Sequence, residues 1–533
     1  MTEPLADDCY PATLTPGLTR LARDFSSGGL PGFLPSAKDW DLRPAVPAHW
    51  PELVRLVAAQ NPSEATRGAV EALTAGAGTV LTGQQVTLFG GPLYTPFKMA
   101  TTVARARQAT RAGRPHVPIF WLATEDHDFA EIAHVEFPLR KDMERLVYAS
   151  APEAARPVGG LVIDESILPL VDRAARLMGE SEATDALTEA WQPGKTLAQA
   201  FAEFYSKIFA AQGLLVLDAA GRDFHRLGSP VLRAGIEGAD EFHAALVERN
   251  HALEAAGYHA QVAVMEHSSL LFLIDGETGA RVALKRTANS AAEPQGLWHA
   301  GSRAYSTTDL VGILEAEPER ISPSALLRPV FQDFLLSTSL IVGGPAEIAY
   351  FAQSAVLYEK ILGRQTPCAT RLSATIVEPA VAELLRKHNL PLERIYDETA
   401  DSLAKLLADR AMPPEGRHRL TEAGKALDEE LVALVDWLKS QDEGLGKSAE
   451  GAASKMQYQM GRLRSMAETF QLQKESSLAK QAQTISLAIY PGDIMQERVH
   501  AAAYYFARHG LDLAETLCVQ AEKPCSGHSV MWL

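Results

Sequence analysis

The first two thirds of the chain alternate short apolar runs with longer stretches of helical periodicity. Helical patterns cover about 17–24, 49–59 and 93–112, and apolar runs of strand length occupy 79–82, 117–123, 214–218 and 337–343. A helical pattern precedes each of the last two runs, and strand–helix alternation of this kind is typical of parallel sheets. The sequence therefore predicts an α/β fold with a mostly parallel, doubly wound sheet.

Two stretches interrupt this alternation, at about 135–170 and about 255–290. The second contains short β-patterned runs over 261–265, 270–274 and 282–286, separated by turn residues. Strand patterns divided by turns are typical of antiparallel hairpins. We therefore predict that both stretches are small connecting insertions in the α/β core.

The segment 378–484 is charged, poor in β-branched residues and periodic in a different way. Its apolar residues recur at seven-residue spacing in two stripes, Leu420, Leu427 and Leu434, then Met456, Leu463 and Phe470. Residues seven apart share one face of a helix, which is the pattern of a coiled coil. We predict a helical coiled-coil hairpin with its turn at 442–447.

These patterns divide the chain into three parts. Residues 1–377 form the predicted α/β core with its insertions, and residues 378–484 form the helical arm. Residues 485–533 contain an amphipathic helix over 496–509 and a short tail, and we predict that this segment returns to the core.

Composition and charge restrict the class of partner. The 533 residues are 47% hydrophobic and carry a formal net charge of −16, without a stripe of Lys and Arg, which argues against nucleic acid as a partner. The acidic N-terminus lacks the order of a signal peptide, and no apolar run approaches the roughly 20 residues that span a bilayer. We therefore expect a soluble cytoplasmic protein without a membrane partner.

The four cysteines, Cys9, Cys368, Cys518 and Cys525, form no CxxC pair and indicate no disulfide framework. Cys525 and His528 have a spacing seen in metal sites, with Cys518 upstream. A closed tetrahedral zinc site would need a fourth ligand that the sequence does not show. We therefore expect no zinc.

Polar residues follow the first predicted strand. Thr82, Gly83, Gln84 and Gln85 come at its end, Gly90 and Gly91 follow, and the next helix carries Tyr94 and Lys98. The N-terminus of a helix suits an anion, although the order of a P-loop and of GxGxxG is missing. Tyr94 and Lys98 share one helix face, so Lys98 either reaches a phosphate or carboxylate or is an exposed helix lysine.

Four ionisable residues, Glu125, Asp126, His127 and Asp128, follow the second predicted strand. The carboxylates would raise the pKa of His127, which would then serve as a general acid or bind an anion. Alternatively, Glu125, Asp126 and Asp128 hold Mg²⁺, or the segment is a turn in which Asp128 caps a helix and Glu131 is its third residue. The sequence does not decide between these hypotheses.

A third group follows the strand over 337–343. Gly343 and Gly344 permit close approach of a ligand to the backbone, and Glu347 either binds an ammonium group or is a first-turn acid of the next helix. Arg328 beside Pro329 is a candidate clamp for carboxylate or phosphate. Further candidates are Tyr350, Arg371 and Ser373.

These segments together resemble one family. The signature segments are Thr82-Gly-Gln-Gln85, Glu125-Asp-His-Asp128, Gly343-Gly-Pro345, Arg371-Leu-Ser373 and Gln496-Glu-Arg498. In order and spacing they are similar to the bacillithiol biosynthesis cysteine-adding enzymes, and the resemblance covers essentially the whole chain.

The resemblance implies a Rossmann-like core similar to class I aminoacyl-tRNA synthetases and related nucleotidyltransferases, with a coiled-coil arm that pairs two subunits into a homodimer. It also implies a ligase that forms a carbon–nitrogen bond, joining L-cysteine to glucosaminyl malate in the last step of bacillithiol synthesis. Activation of a carboxylate implies ATP, with ADP or another nucleotide as alternatives, and Mg²⁺ is a possible companion.

The implied roles divide among the candidate residues. Lys98, Asp126 and His127 are expected in catalysis, with Lys98, His127 and Arg328 facing phosphate or malate charges. The backbone at Gly83, Gly90, Gly343 and Gly344 would approach the ligand, and Glu347 or Asp126 would engage an ammonium group. The residues expected to bind substrate or nucleotide are Thr82, Gly83, Gln84, Gln85, Tyr94, Glu125, Asp128, Arg328, Gly343, Gly344, Glu347, Tyr350, Arg371 and Ser373.

Two other functional classes remain open from the sequence. One is a nucleotidyltransferase of the same fold with another substrate. The other is a non-catalytic nucleotide-binding scaffold that acts through its coiled coil.

Overall fold

The computed structural model describes residues 9–30, 32–37, 40, 46–139, 141–287 and 297–533. Its helices are α1 (Arg20–Gly28), α2 (Trp50–Gln60), α3 (Glu64–Thr74), α4 (Tyr94–Arg111), α5 (Phe129–Ile132), α6 (Leu168–Met178), α7 (Glu182–Ala190), α8 (Leu197–Ile208), α9 (Arg222–Glu237), α10 (Ala239–Ala255), α11 (Thr307–Ala316), α12 (Arg328–Leu336), α13 (Pro345–Leu362), α14 (Pro379–His388), α15 (Leu392–Tyr396), α16 (Ala400–Ala411), α17 (Pro414–Gln441), α18 (Glu443–Lys474), α19 (Ser477–Ile489), α20 (Gln496–Val499), α21 (Ala502–His509) and α22 (Leu513–Glu522). Its strands are β1 (Cys9–Tyr10), β2 (Gly78–Gln84), β3 (His116–Leu122), β4 (His134–Pro138), β5 (Met143–Val147), β6 (Leu215–Leu217), β7 (Ser268–Ile274), β8 (Arg281–Arg286), β9 (Trp298–Ala300), β10 (Arg303–Tyr305), β11 (Ile321–Pro323), β12 (Thr338–Gly343), β13 (Cys368–Thr370), β14 (Ala374–Val377) and β15 (His528–Trp532).

The central sheet has five parallel strands in the order β13-β12-β2-β3-β6. From β2 the chain moves outward to β3 and β6, and it then returns to the other side of β2 to add β12 and β13. The order therefore reverses between β2 and β12, and this switch point is where ligands bind in open α/β sheets. The predicted Rossmann-like, doubly wound fold is confirmed.

Both faces of the sheet are covered, because successive side chains of a strand point to opposite sides. Phe120 and Leu122 of β3 pack into a core cluster with residues of α4 and α8. Ile119 and Trp121 of the same strand pack into a second cluster with residues of α12 and α13. Burial on both faces explains why the strands could be recognised as continuous apolar runs.

The insertions contain antiparallel strands, as predicted. The first contains the hairpin β4–β5, and the second contributes β7 and β8 to a five-stranded sheet in the order β10-β9-β8-β7-β11. The strand predicted over 261–265 is wrong, because these residues form no strand and Met265 is 66% exposed.

The predicted helical arm contains α17 and α18, which pack against each other as a hairpin. Only Asp442 separates them, where the sequence predicted a turn over 442–447. Its side chain accepts a hydrogen bond from the Leu445 N–H at 2.8 Å and so begins the second helix. Leu431 is buried in the hairpin, whereas Leu434 and Phe470 are 52% and 63% exposed.

The C-terminal segment forms a third sheet, in which β15 lies between β1 and β14. The amphipathic helix predicted over 496–509 is instead two helices, α20 and α21. The break at His500 and Ala501 has a cause, because the Ala501 N–H donates to the Glu136 carbonyl at 2.8 Å and the His500 carbonyl accepts from the Leu93 N–H at 3.1 Å.

A disulfide joins Cys9 to Cys525 beside this sheet, a bond that the cysteine pattern, which indicated no disulfide framework, did not predict. The two residues are 516 positions apart in sequence. Their proximity comes from the pairing of β1 with β15, which spacing along the chain does not reveal. The other two cysteines, Cys368 and Cys518, are free and buried.

Within the described ranges, no helix combines the length and the apolar composition that crossing a membrane requires.

Candidate active site at the switch point

A cavity of about 280 Å³ opens at the carboxyl ends of β2 and β12, where the strand order reverses. Many of the predicted site residues line it. The predicted lining residues are Gly83, Gln84, Gln85, Tyr94, Lys98, Asp126, Arg328, Gly344, Glu347, Tyr350 and Arg371. Two further charged residues, which were not predicted as site residues, also line the cavity. They are Glu131 and Arg498.

Lys98 and Glu347 connect the two sides of the switch point. The Lys98 Nζ lies 2.5 Å from the Glu347 Oε2, and it donates to the Gly83 carbonyl and to the Gln84 Oε1, each at 2.8 Å. Burial lowers the pKa of Lys98, and Glu347 opposes that effect. The lysine is therefore not the exposed helix residue of the alternative interpretation, since its side chain is only 5% exposed.

Glu347 is both a helix-capping residue and a cavity residue. Its Oε2 accepts from the Gly344 N–H at 2.7 Å, as expected for a first-turn acid of α13. Its Oε1 accepts a long hydrogen bond from the Tyr350 hydroxyl at 3.4 Å. The two interpretations of Glu347 from the sequence are therefore compatible. Its contacts with Lys98 and Gly344 leave it less suited than Asp126 to bind a ligand ammonium.

Arg328 begins α12 and points its charge into the cavity. Burial alone would lower its pKa, but Tyr350, Asp126 and Glu347 raise it overall. Burial raises the pKa of Tyr350 well above its ordinary value, and Arg328 opposes that rise. Arg328 therefore remains a cation, and its side chain lines the cavity.

Arg371 is fixed from behind by a buried acid. Its Nη2 donates to the Glu497 Oε1 at 2.6 Å and its Nη1 donates to the Leu372 carbonyl at 2.7 Å. Burial would raise the pKa of Glu497, but Arg371 lowers it overall, so the pair is ionic. Arg371 also lies over the Tyr94 ring, 5.7 Å from its centroid. Burial raises the pKa of Tyr94 to about 12.

Ser373 lies behind Arg371 and does not line the cavity. Its hydroxyl donates to the Glu497 Oε2 at 3.0 Å and is 2.8 Å from the His528 Nδ1. Any contact of Ser373 with a ligand would therefore lie outside this cavity. His528 is also 2.8 Å from the Thr375 hydroxyl through its Nε2, so both ring nitrogens have partners other than a metal.

Two acids, Asp126 and Glu131, line the same cavity as the arginines. The Gln85 Nε2 donates to Asp126 and to Glu131, at 2.8 Å in each case, and holds the two carboxylates side by side. Burial would raise the pKa of Asp126, but the hydrogen bonds from Gln85 and from the His127 N–H lower it overall. Asp126 is therefore an ionised carboxylate at neutral pH.

His127, an expected catalytic residue, does not line the cavity. Its Nδ1 lies 3.2 Å from the Arg281 Nη1, and its ring packs on Phe272. The Arg281 guanidinium covers the same phenylalanine, 3.7 Å from the ring centroid, and burial lowers its pKa to about 10. His127 is thus directed toward the second insertion.

Glu125 and Asp128 also point away from the cavity. Glu125 lies 3.2 Å from the His225 Nε2 through its Oε1, and Asp128 caps α5 by accepting from the Glu131 N–H at 3.1 Å. The three carboxylates at 125, 126 and 128 therefore diverge and do not surround one cation. Among the residues that the structure describes, no group of three or more His, Cys, Asp or Glu side chains is arranged to hold a metal ion.

Three of the small residues assigned to ligand binding have packing roles instead. The Thr82 hydroxyl donates to the Val342 carbonyl at 2.8 Å inside the sheet. A Cβ at Gly343 would lie 2.8 Å from Phe351. Gly90 has a φ of +87°, and a Cβ at this position would lie 2.7 Å from Phe204. These positions are required for close packing, and none of the three lines this cavity.

The cavity therefore contains both kinds of charge. Lys98, with its partner Glu347, lies at the switch point, and Arg328, Arg371 and Arg498 provide cations. Asp126 and Glu131, which Gln85 holds side by side, provide negative charge. Guanidinium groups bind carboxylate and phosphate in bidentate fashion, and carboxylates bind ammonium groups. The arrangement suits a ligand, or a pair of ligands, that carries both kinds of charge.

Comparison with known proteins identifies the family. Residues 50–371 match the model of the "Bacillithiol biosynthesis BshC, N-terminal Rossmann-like domain", and residues 374–533 match that of the "C-terminal coiled-coil domain". The protein from Koribacter versatilis named "Putative cysteine ligase BshC" is 41% identical over 87% of this chain and 85% of its own length. Proteins of the same name from Solibacter usitatus and Salinibacter ruber are 34% and 31% identical, each over 85% of this chain and over 84% and 82% of their own lengths. The chain therefore belongs to the BshC family of bacillithiol biosynthesis.

Proposed function

We propose that this protein is a cysteine ligase that joins L-cysteine to glucosaminyl malate in the last step of bacillithiol synthesis. The bond formed is an amide between the cysteine carboxyl carbon and the glucosamine nitrogen. The printed name of the relatives supports a cysteine ligase, and the family description supports bacillithiol synthesis.

The presence of both kinds of charge in the switch-point cavity is the observation that carries this proposal. Glucosaminyl malate has two carboxylates on its malate part, and Arg371, fixed by Glu497, is the cation that would receive one of them. Cysteine has an ammonium group, and Asp126 and Glu131 form the acidic wall that matches it. These charged anchors would orient the two substrates for reaction.

The donor set also fits a nucleotide. Arginines that line a partly enclosed cavity suit a phosphate chain, and Arg328 is kept charged by Tyr350 and Asp126. ATP, when bound, supplies the activation that turns the cysteine carboxylate into an acyl donor, with Mg²⁺ as its usual companion. Arg328 and Arg498 are the residues that would hold the phosphates, while Arg371 is fixed by Glu497 to receive a carboxylate.

Lys98 has a positioning role in this scheme. Its ammonium group holds the Gly83 carbonyl, the Gln84 side chain and Glu347 in one arrangement. Preorganised charges of this kind stabilise a transition state more than mobile ones do. Lys98 thus fixes the ends of β2 and β12 relative to each other.

The helical arm supports a homodimer. On the hairpin of α17 and α18, Leu434, Trp437, Leu463 and Phe470 are each more than half exposed. Exposed apolar residues that recur at heptad spacing mark a surface for another helix. We infer that a second copy of the chain covers this surface.

The test is reconstitution with purified protein. Glucosaminyl malate, L-cysteine, ATP and Mg²⁺ are incubated with the full chain, and the thiol product is measured by mass spectrometry. We expect the amide product only when cysteine and glucosaminyl malate are both present, and L-serine should not replace cysteine efficiently. Turnover of ATP without dependence on glucosaminyl malate would instead identify a nucleotidyltransferase, and unchanged product from Arg328→Met would place the site elsewhere.

A further inference from the structure

A second cavity, of about 630 Å³, lies at the carboxyl ends of β3 and β6. Leu122 and Thr124 line it, whereas Trp121 and Ala123 line the active-site cavity. Because successive residues of an extended chain point to opposite sides, the two cavities lie on opposite faces of the β3 exit. The second cavity is therefore separate from the site of the proposed ligation.

The walls of this second cavity are largely apolar. Leu122, Val216 and Ile274 line it together with Ala198 and Ala202 of α8. A volume of this size falls within the range of roughly 300–1,000 Å³ that is typical of small-molecule sites. Such sites usually combine an apolar lining with a few polar groups that fix the orientation of the ligand.

Acidic residues supply the charge in this cavity, and none of the described residues that line it is Lys, Arg or His. Three of its four acids have a partner outside the lining. The pairs are Glu125 with His225 at 3.2 Å, Glu319 with Arg222 at 3.2 Å, and Glu203 with Lys195. The lining therefore disfavours anions and leaves one acid to be explained.

That acid is Asp218. Its Oδ1 accepts from the Thr124 hydroxyl at 2.6 Å and from the Ala220 N–H at 3.1 Å. Gln60 fixes its backbone by donating to the carbonyl at 2.7 Å and accepting from the N–H at 2.8 Å. No Lys or Arg in the described part of the chain forms an ion pair with it.

The surroundings of Asp218 make this lack of a counter-ion significant. Burial raises the pKa of Asp218, while Glu125 raises it further and His225 lowers it. Burying a carboxylate without a counter-ion costs free energy. A cation that entered the cavity would offset that cost. The position is rigid and open to the cavity, as a binding group requires.

We propose that this cavity binds a primary ammonium group on a hydroxylated skeleton, the chemistry of an amino sugar, with Asp218 as its counter-ion. Thr196, Gln199 and Ser206 of the facing wall provide hydroxyl and amide groups for the hydroxyls of the ligand. The ligand here is distinct from the reacting amine of the ligation, because the 124–126 segment lies between the two cavities.

The test uses D-glucosamine as the probe and isothermal titration calorimetry on the full chain. We expect saturable binding to the unaltered protein. N-acetyl-D-glucosamine, which has the same skeleton without the charge, should bind at least about tenfold more weakly. Asp218→Asn should weaken D-glucosamine binding by a similar factor, since the amide keeps the hydrogen bonds from Thr124 and Ala220 but lacks the charge.

Asp126→Asn is the matched control, because it removes an acid from the active-site cavity on the other face. It should leave this affinity unchanged. Ala202→Phe, which fills the second cavity, should abolish binding, and thermal melting verifies that each variant is folded. The inference is overturned if the unaltered protein shows no saturable binding, if folded Ala202→Phe binds normally, or if Asp126→Asn loses binding while Asp218→Asn retains it.

Discussion

Lys98 and Glu347 form an ion pair with a Nζ–Oε2 distance of 2.5 Å, which joins the helix after β2 to the helix after β12. Both strand exits at the switch point are thereby tied to one buried contact. Removal of one partner from a buried pair leaves a charge without compensation, typically at about 3–5 kcal/mol. The pair therefore links the alignment of the site to the stability of the core.

The first prediction concerns this pair. Lys98→Met and Glu347→Gln should each lower kcat/KM for the ligation by about 100-fold or more, because a preorganised electrostatic group is lost. Each should also lower the melting temperature. In the double variant no buried charge is left alone, so we expect partial recovery of the melting temperature without recovery of activity. Equal melting temperatures in all four proteins would show that the contact contributes nothing.

The second prediction separates Asp126 from its neighbour His127. Asp126→Asn should lower the ligation rate by about 100-fold, because the acidic wall loses one of its two charges. His127→Ala should change the rate by less than about tenfold, because its ring contacts Arg281 and Phe272 outside the cavity. Steady-state kinetics of the two variants test the assignment. A larger loss with His127→Ala would return the histidine to the catalytic machinery.

The charged segment shows how far a sequence can specify a site. The strand before it was recognisable from its apolar run, so the position of the site at a strand exit could be predicted. The direction of each side chain could not, because residues 123–128 lie beyond β3 in a turn and loop, where no fixed period sets which way a side chain points. Asp126 lines the active-site cavity, Glu125 pairs with His225, and Asp128 caps a helix.

Long-range pairing was the other limit on prediction from the sequence. Lys98, Arg328 and Arg371 could be identified because each lies near a strand or helix terminus in a distinctive local pattern. Arg498 of the cavity and Glu497 behind Arg371 come only after the helical arm, and Glu497 is 126 residues from its partner Arg371. The pairing of β1 with β15 was hidden for the same reason, and with it the disulfide.

The third prediction concerns stability and pH. Burial lowers the pKa of His528 to about 4. The unfolded chain therefore binds a proton that the folded chain excludes between about pH 6.5 and pH 4, so stability falls as the pH falls through this window. His528→Gln should flatten that slope by roughly 1 kcal/mol per pH unit in urea unfolding. The exposed His251→Gln is the control, and an unchanged slope in His528→Gln would contradict the assignment.

The fourth prediction tests the homodimer. Leu434→Asp and Phe470→Asp place charges on the exposed apolar surface of the hairpin and should convert the dimer to monomers in sedimentation velocity. Lys425→Asp, on the opposite side of α17, introduces the same side chain and should leave the dimer intact. If all three variants sediment like the unaltered protein, the apolar stripe packs within one chain only.

The fifth prediction is a thiol count. Denatured protein that has not been reduced should react with two equivalents of a thiol reagent, for Cys368 and Cys518, and reduced protein with four. The native protein should react slowly, because burial raises the pKa of Cys368 far above its ordinary value and that of Cys518 to about 12. Cys9→Ser should yield three equivalents after denaturation without reduction. Four equivalents from unreduced, unaltered protein would exclude the disulfide.

Synthesis on the ribosome sets the earliest time at which β1 can pair with β15. Cys9 is made 516 residues before Cys525, which at about 5–20 residues per second corresponds to a delay of roughly 25–100 s. During that interval the first strand has no neighbour to pair with, and the cavity lacks the Glu497 carboxylate that fixes Arg371. The nascent protein can thus assemble most of its central sheet early but gains a complete binding site only near the end of translation.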